Sequence, residues 1–589
     1  MLTSQQRWYV LAACGVTVLT MIVVAIHGLR QPLSFELARV KPSFDPAAAL
    51  EYTKTLAVQY PDRVTGSPGA ARAARYIGGQ LQRMGYSVSV SLFNMWLAGK
   101  QVEGQNVIGE IPGDTAESVA VIAHYDSQFT SHQAAEDNAS GVGVLLALGR
   151  ALASQHRHRG LILVATDGEE WGMIGARDLR GFFRTRKTVG VISIDYVTAG
   201  QSVALAVDCE GQVSGYTPLW LRELVRQSAE LQGVRVESPS GLSEWIERSI
   251  EVSSQDQGPL LRAGIPALNV STVPADEAGA RARYHTTADV FANFQPEAFR
   301  MVGASVEQAV SALNTLENVP PHEMKYLRLA SGRWIDRGPL EWLQVLGLIP
   351  FMVASVLAVM NLEDDALPRP VWSYLRPALF LLPLIMALVS LRAMHSGGIL
   401  RRYELYPATP KDPFLYHIPF RIAAPLIAVL VLGYLAIRML RAFLPEAPPS
   451  FKAAKRIRCA WMYLIVIGAL YVDPYATWFF VAPLAYGFML LQRPSNWLSR
   501  VLNAALLLVG ALPFLAVVYF FGREIFLGWR IVWYLVLQTA YGVWSRLATV
   551  LFLMALSLWV QLFRLAVLGS ARKDEQTAVQ PAAALPTAP

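Results

Sequence analysis

Two adjacent carboxylates, Glu169 and Glu170, stand in the stretch "TDGEEWGMIGA", directly after the aliphatic run "LILVA". Acids after a strand have a plain reading as a solvated turn. They also have a chemical one, in which one carboxylate holds a metal ion and its neighbour moves a proton. Other metal-capable side chains recur in comparable places. "VIAHYDS" carries His124 and Asp126 where an apolar run ends. "AAEDNASGVGVLL" carries Asp137 and Asn138 at the opening of an apolar helix, and "VGVISIDYV" carries Asp195. "RYHTTADVFANF" supplies His285 in a polar stretch. A mixed set of imidazoles and carboxylates suits zinc. Taken singly each piece is weak: a lone His at a strand end is usually structural, and Asp-Asn before a Gly-rich helix is often an N-cap.

The elements that must position these residues can be read from periodicity. "NVIGEI", "SVAVIAH", "LILVAT" and "VGVISID" read as short buried strands. "ARAARYIGGQLQRM" places Ala74, Ile77, Leu81 and Met84 at helical spacing, and "GVGVLLALGRALA" reads as a buried helix. Strands alternating with helices predict an α/β fold, with a mixed, mainly parallel sheet and helices on both faces. Three of the strands then end in His, Glu-Glu and Asp. Ligands of open α/β sheets bind beyond the carboxyl ends of strands, so the pieces gain force together.

Composition sets the frame around this domain. The 589 residues are 53% hydrophobic and 16% charged, against about 25% charged in ordinary soluble domains. The chain therefore reads as a membrane protein in part. The formal charge of +7 does not imply nucleic acid, because Lys and Arg collect in cytoplasmic loops of membrane proteins. Of the three cysteines, Cys14 and Cys459 lie in or beside apolar runs and Cys209 stands alone, so there is no disulfide framework.

Four regions are expected: an N-terminal transmembrane anchor over 1–29, an α/β domain over 30–337, an all-α multi-spanning transmembrane domain over 338–570, and a disordered tail over 571–589. The anchor run Trp8–Gly28 carries no acid, Lys or Arg and is long enough to cross a bilayer. A cleaved signal peptide is the rival reading, but the run is long for one and no small-x-small site follows. Six to eight further spans are expected: Trp342–Met360, Val371–Met394, Ile418–Leu440, Val501–Phe521, Phe526–Tyr541, Leu547–Leu568, and one broken or two short helices over Cys459–Leu491. The loop "RAFLPEAPPSFKAAKRIR" is basic and should be cytoplasmic, as should the leading segment with Arg7. That places 30–337 outside the cytoplasm, in a bacterial periplasm or, alternatively, an organelle lumen. Ionisable residues within the spans, such as Asp473, are few, which argues against a transporter and for an anchor or platform in the lipid bilayer.

In order along the chain, "HYDS", "DNASG", "EEWGMIG", "SIDYV" and "YHTTAD" resemble the five motifs of the di-zinc aminopeptidase family, whose relatives include glutaminyl cyclases and nicastrin-like scaffolds. "DRVTGSPGAARAARYIGGQL" resembles the family's entry segment, and "SSQDQGPLLRAGIPAL" one of its later segments. The resemblance runs from about Tyr52 to Leu313. An aminopeptidase-like domain followed by many helices is also similar to certain vacuolar and endoplasmic-reticulum metallopeptidases. The resemblance implies two zinc ions: His124 and Asp195 on one, Glu170 and His285 on the other, and Asp137 bridging them. It implies that Asp126 orients His124 and that Glu169 is the general base and acid in hydrolysis of peptide substrates from a free N-terminus. Trp171 and Gln257 depart from the family pattern, Trp171 narrowing the substrate pocket or simply packing. Glutaminyl cyclases hold one zinc and nicastrin-like scaffolds have lost ligands, so both remain alternatives less suited to a complete set. His132, His156 and His158 read as loop residues.

Overall fold

The computed structural model describes residues 4–568 except 98–99, 213–214, 251, 361–371, 401–417, 419, 444–450, 492, 525–529 and 543. The expected tail lies outside the described residues.

Eleven strands form two sheets: β1 Leu29–Arg30, β2 Ser87–Leu97, β3 Lys100–Ile111, β4 Ser118–His124, β5 Gly160–Thr166, β6 Thr188–Ile194, β7 Ser202–Asp208, β8 Val236–Glu237, β9 Ala267–Pro274, β10 Leu327–Arg328 and β11 Trp334–Ile335. Eight of them make one sheet in the order β2-β3-β5-β4-β6-β9-β7-β8. Its centre, β5-β4-β6-β9, is parallel, while β3 runs antiparallel to β2 and β5, and β7 runs antiparallel to β9 and parallel to β8. This is the mixed, mainly parallel sheet expected of the alternating pattern.

Strands buried on both faces need two cores, and β4 and β5 feed both by alternation. Val119, Val121 and Ala123, with Leu161, Leu163 and Ala165, join one core under the helices Pro46–Lys54, Ser140–Leu152 and Pro296–Thr315. Ala120 and Ile122, with Ile162 and Val164, join the other against Phe183, Leu260 and Leu261. The continuous aliphatic runs are thus the signature of helices on both faces. The predicted helix around Ala74 and Leu81 is Pro68–Arg83, capped by Ser67, whose hydroxyl accepts from the Ala70 N–H, with Pro68 in the first turn.

The small sheet β1-β11-β10 joins the end of helix Ser4–Gly28 to the segment that leaves the α/β domain, pairing Leu29 with Ile335. Beyond it the chain is helical. Among the described residues, five helices are long and apolar enough to cross a membrane: Trp8–Gly28, Leu375–Ser396, Phe420–Leu440, Trp497–Tyr519 and Arg546–Leu568. Ile457–Val472 and Ile531–Ala540 are shorter apolar helices.

Three expectations are corrected here. The single span over Trp342–Met360 is two helices, Arg337–Leu346 and Ile349–Met360. The break falls at Gly347, where the Trp478 ring packs so closely that a Cβ would lie 2.1 Å from it; Pro350 also disfavours helix in the preceding residue. The Phe526–Tyr541 span is reduced to helix Ile531–Tyr541 among the described residues. The basic segment Lys452–Arg458 is not a loop but the first two turns of helix Phe451–Val472, as its Ala- and Lys-rich sequence favours. The open reading of Cys459–Leu491 becomes a helical hairpin: Asp473 ends one arm and caps the next, accepting from the Tyr475 and Ala476 N–H groups.

The tip of that hairpin touches the α/β domain. Trp245 donates its indole N–H to the Tyr475 carbonyl at 3.2 Å, and the Tyr475 hydroxyl donates to the Tyr326 carbonyl at 3.4 Å. The Arg248 guanidinium lies over the rings of Tyr216, Tyr326 and Tyr475, at 3.7, 4.4 and 5.5 Å from their centres.

Candidate metal centre

β4, β5 and β6 are parallel and in register, so they end together. His124 closes β4 opposite Thr166, and Asp195 follows the last residue of β6. The turn after β5 then folds back over this edge. Gly168 takes a φ of +75°, which L side chains rarely adopt, and Gly175 approaches Asp167 so closely that a Cβ would sit 2.2 Å from its carbonyl oxygen. The turn is held from below by Asp126, whose Oδ1 and Oδ2 accept the backbone N–H groups of Glu169 and Glu170, each at 3.2 Å. Asp137 and Asn138 do not open the helix as a cap: their backbone is non-helical and the helix begins at Ser140. Asn138 fixes this irregular turn, donating from Nδ2 to the Ile194 carbonyl and accepting from the Gly141 N–H, both at 2.9 Å.

All five residues expected as ligands converge. Nε2 of His124 lies 3.2 Å from Asp137 Oδ1 and 3.2 Å from Asp195 Oδ1. Nε2 of His285 lies 3.0 Å from Asp137 Oδ2 and 3.1 Å from Glu170 Oε2. Two groups able to hold a metal ion result, His124–Asp137–Asp195 and Asp137–Glu170–His285, with Asp137 common to both. His124, Asp137, Glu170 and His285 are buried. The donor set fits zinc by a second observation. Glu170 Oε1 and Nε2 of His285 are buried without a hydrogen-bond partner, although Nε2 has carboxylates around it. Lone pairs aimed at one another rather than at donors are what metal ligands require.

Asp126 Oδ1 lies 3.4 Å from His124 Nδ1, an ion-pair contact longer than an ordinary hydrogen bond. The carboxylate of Glu169 is mostly buried, belongs to neither metal-capable group and has no hydrogen-bond or ion-pair partner among the described residues. Glu170, by contrast, accepts from Gln128 Nε2 at 2.8 Å. Of the two adjacent acids, only Glu170 therefore joins a metal-capable group.

Without metal, the charge balance is uneven. Burial lifts the Glu169 carboxyl well above its usual range, against the pull of His124 and with the push of Asp195, Glu170 and Asp256. Burial also lifts Glu170 to about 6. In Asp137 burial is outweighed by the bonds to His124 and His285, which hold it below the usual carboxylate range. Burial would lower His285, but Glu170 and Asp137 push it up to about 10.

Several residues of the site were not singled out from the sequence. Asp289, in "YHTTAD", accepts the backbone N–H groups of Glu136 and Asp137 at 2.7 and 3.2 Å and so fixes the turn that carries Asp137. Tyr284 stacks on the His285 ring with centroids 3.8 Å apart. Arg63, fully buried in the "DRVTGS" segment, donates to the carbonyls of Tyr125, Gln133 and Ala134 at 2.7, 2.9 and 2.8 Å, clamping both walls of the site. Only a three-dimensional contact reveals these roles. Trp171 packs: it is buried with Phe93, Met95, Leu97 and Ile174, and its ring meets Phe129 at 4.6 Å. His132, His156 and His158 are exposed, as expected.

The fold and this edge define a zinc-exopeptidase-like α/β domain set on membrane helices. Residues 106–310 match the model of peptidase family M28. Similar curated proteins include the alkaline phosphatase isozyme conversion protein of Escherichia coli, 29% identical over 30% of this chain and 56% of its own length. A probable zinc metalloprotease of Leptosphaeria maculans is 29% identical over 34% of this chain and 54% of its own. A vacuolar membrane protease of Tuber melanosporum is 28% identical over 24% of this chain and 17% of its own. The chain thus spans about half the length of the first two relatives. Among solved structures, a zinc aminopeptidase from Bacillus subtilis is covered in full, with a TM-score of 0.41, 16% identity and 48% of this chain. A glutaminyl cyclase from Bacteroides thetaiotaomicron is covered over 98%, with a TM-score of 0.37, 19% identity and 46% of this chain.

Proposed function

We propose that the α/β domain is a two-zinc aminopeptidase, held at a membrane and removing N-terminal residues from peptides. The observation that carries this reading is the pair of three-residue groups that share Asp137, with the free carboxylate of Glu169 beside them. His124 and Asp195 would hold one ion and Glu170 and His285 the other, with Asp137 common to both groups. Zinc bound there supplies Lewis acidity and a water acidic enough to ionise near neutral pH. Glu169 takes the proton of the attacking water and hands it to the leaving amine. Asp126 positions both glutamates through their backbone and faces the far ring nitrogen of His124.

The domain lies on the extracytoplasmic side, a periplasm favoured over an organelle lumen. Tyr475 rests against the α/β domain, and helix Phe451–Val472 runs away from it for 22 residues, about 33 Å. Lys452–Arg458 therefore stand at the end remote from the domain. Arg7 does too, since helix Ser4–Gly28 meets the domain at its other end through β1. Two basic segments at the far end favour that end as cytoplasmic.

Metal analysis of zinc-loaded protein, with a peptide-library digest read by mass spectrometry, tests the reading. Two zinc ions per chain and stepwise loss of N-terminal residues from free but not acetylated peptides are expected. At most one zinc would favour a cyclase, and full zinc without cleavage a scaffold.

A further inference from the structure

The short helices Arg180–Thr185 and Gln257–Arg262 both end at the edge of the eight-stranded sheet where its parallel strands begin, β6 at Thr188 and β9 at Ala267. This edge is opposite the one that carries the metal centre. The membrane hairpin docks on it too. Thr217 donates its hydroxyl to the Ala267 carbonyl at 2.7 Å, Tyr326 donates to the Thr217 carbonyl at 2.9 Å, and Tyr475 at the hairpin tip donates to the Tyr326 carbonyl at 3.4 Å. The backbone of Arg262 belongs to the same corner. A Cβ added to Gly215, next to Tyr216, would lie 2.8 Å from the Arg262 nitrogen. The rings of Tyr216 and Tyr475 share the guanidinium of Arg248.

Arg180, Arg184 and Arg262 gather cations at this corner. Arg184 donates to the carbonyl of Ala263, the residue after Arg262, and Arg180 donates from Nε to the Arg177 carbonyl at 2.7 Å. Burial, and then the charges of Arg177, Arg262 and Arg184, lower the Arg180 guanidinium against the pull of Asp178, so these heads feel one another. Among the described residues, Arg180, Arg184 and Arg262 form no ion pair with a carboxylate. Arg184 and Arg262 are exposed and Arg180 is half-buried. The negative pole of a helix C-terminus accounts for Arg184 or for Arg262 singly. It does not account for both beside Arg180, since like charges held together repel unless an anion joins them.

The same edge offers an apolar contact. Leu242 is 69% exposed and opens helix Leu242–Ile250, whose Trp245 holds the hairpin through the Tyr475 carbonyl. An exposed apolar side chain and a group of cations, both beside a hairpin that runs into the bilayer, match the acyl boundary and the headgroup layer of a lipid surface. We propose that Arg180, Arg184 and Arg262 bind the phosphate groups of acidic phospholipids in the leaflet that faces the α/β domain. Guanidinium suits this task, because its forked donors fit phosphate oxygens two at a time. The domain is then fixed to the bilayer at a third place, besides the β1–β11 pairing and Tyr475. The metal centre is held roughly 20 Å further out, at the other end of the seven-residue strand β6. This goes beyond the aminopeptidase reading and stands without it.

The test places full-length protein in nanodiscs of phosphatidylcholine alone and in nanodiscs rich in phosphatidylglycerol. Hydrogen–deuterium exchange is followed in segments 177–187 and 258–265. A basic side chain at an anionic surface gains about fivefold in binding, so both segments should exchange at least about fivefold more slowly with phosphatidylglycerol. The difference should shrink at high salt. A variant carrying Arg180→Gln, Arg184→Gln and Arg262→Gln keeps amide donors for the two carbonyls and should exchange alike in both discs. Equal exchange of the wild type in the two discs overturns the proposal without reference to any variant. So does slowing that persists in the triple variant. Inorganic phosphate added to phosphatidylcholine discs separates the sources: equal protection by phosphate makes this a site for a free anion and overturns the lipid assignment. Protection by added polyglutamate but not by phosphatidylglycerol overturns it in favour of an acidic protein partner.

Discussion

Asp126 carries the backbone of Glu169: its Oδ1 accepts that residue's N–H at 3.2 Å, while Oδ2 accepts the next N–H, from Glu170, at the same distance. A single buried carboxylate thus sets the direction of two others. Asp126→Asn replaces one acceptor by a donor facing an N–H, so one arm of the turn must swing away. Groups of this supporting kind typically change activity or metal affinity about 10- to 100-fold. A loss of that size in kcat/KM, with zinc content held above one per chain, is expected from steady-state kinetics and metal analysis.

Glu170→Gln should act differently. Glu170 Oε2 lies 3.1 Å from His285 Nε2 in the Asp137–Glu170–His285 group. A neutral amide is a poorer ligand, so zinc per chain should drop toward one. Thermal stability should drop with it, because metal binding is coupled to folding. A solvated turn would instead change by no more than about 0.5 kcal/mol. Zinc analysis and thermal unfolding of the same preparation separate the two.

The strands that build the centre were legible because β4, β5 and β6 are buried on both faces and so appear as unbroken aliphatic runs ending in His124, Thr166 and Ile194. The ligands were legible because each sits just past such a run or in a recognisable motif. Asp289, Tyr284 and Arg63 were not, since their roles lie in contacts across tens to more than a hundred residues of chain, and nothing local marks them. The helical region was read less well for a related reason. Hydropathy sees apolar length, but it does not see the break at Gly347, beside the Trp478 ring, or the hairpin turn at Asp473, set by a side-chain cap.

Glu247 provides a pH test away from the metal centre. Burial, with the charges of Asp208 and Glu244, pushes its carboxyl up to about 8, against a hydrogen bond from Tyr216 and the charge of Arg222. A folded-state value above the ordinary carboxylate value means that ionisation is harder in the fold. The wild type therefore loses stability as pH rises from about 4.5 to about 8, and no further change comes from this group above that. Glu247→Gln removes the cost. Its melting temperature relative to the wild type should be lowest near pH 4 and climb until about pH 8. A difference that is flat across this range would show that Glu247 ionises freely.

Tyr475 is the main side-chain contact through which the helical hairpin grips the α/β domain. Its ring lies 5.2 Å from Trp245 and under Arg248, and Arg248 is tied in turn to Glu244 at 2.9 Å. Tyr475→Ala empties this seat. Truncating a buried aromatic costs roughly 3–5 kcal/mol in a single core. A lower thermal midpoint and faster proteolysis in the segment between Val319 and Arg337 are expected, with zinc content unchanged. Proteolysis at the wild-type rate would mean that the small sheet through β1 and β11 alone holds the domain.

Glu169→Gln isolates the proton step. The substitution keeps size and hydrogen-bonding capacity, and the Glu169 N–H to Asp126 is untouched. Glu169 belongs to neither metal-capable group, so two zinc ions per chain and an unaltered fold are expected. A general base and acid contributes typically about 10²–10⁴-fold to rate, so kcat should fall at least that far while KM barely moves. Zinc per chain, kcat and KM are measured on one sample. Hydrolysis at the wild-type rate would remove Glu169 from the mechanism whatever the metal count. Loss of zinc together with activity would make Glu169 a support of the ligands rather than the carrier of the proton.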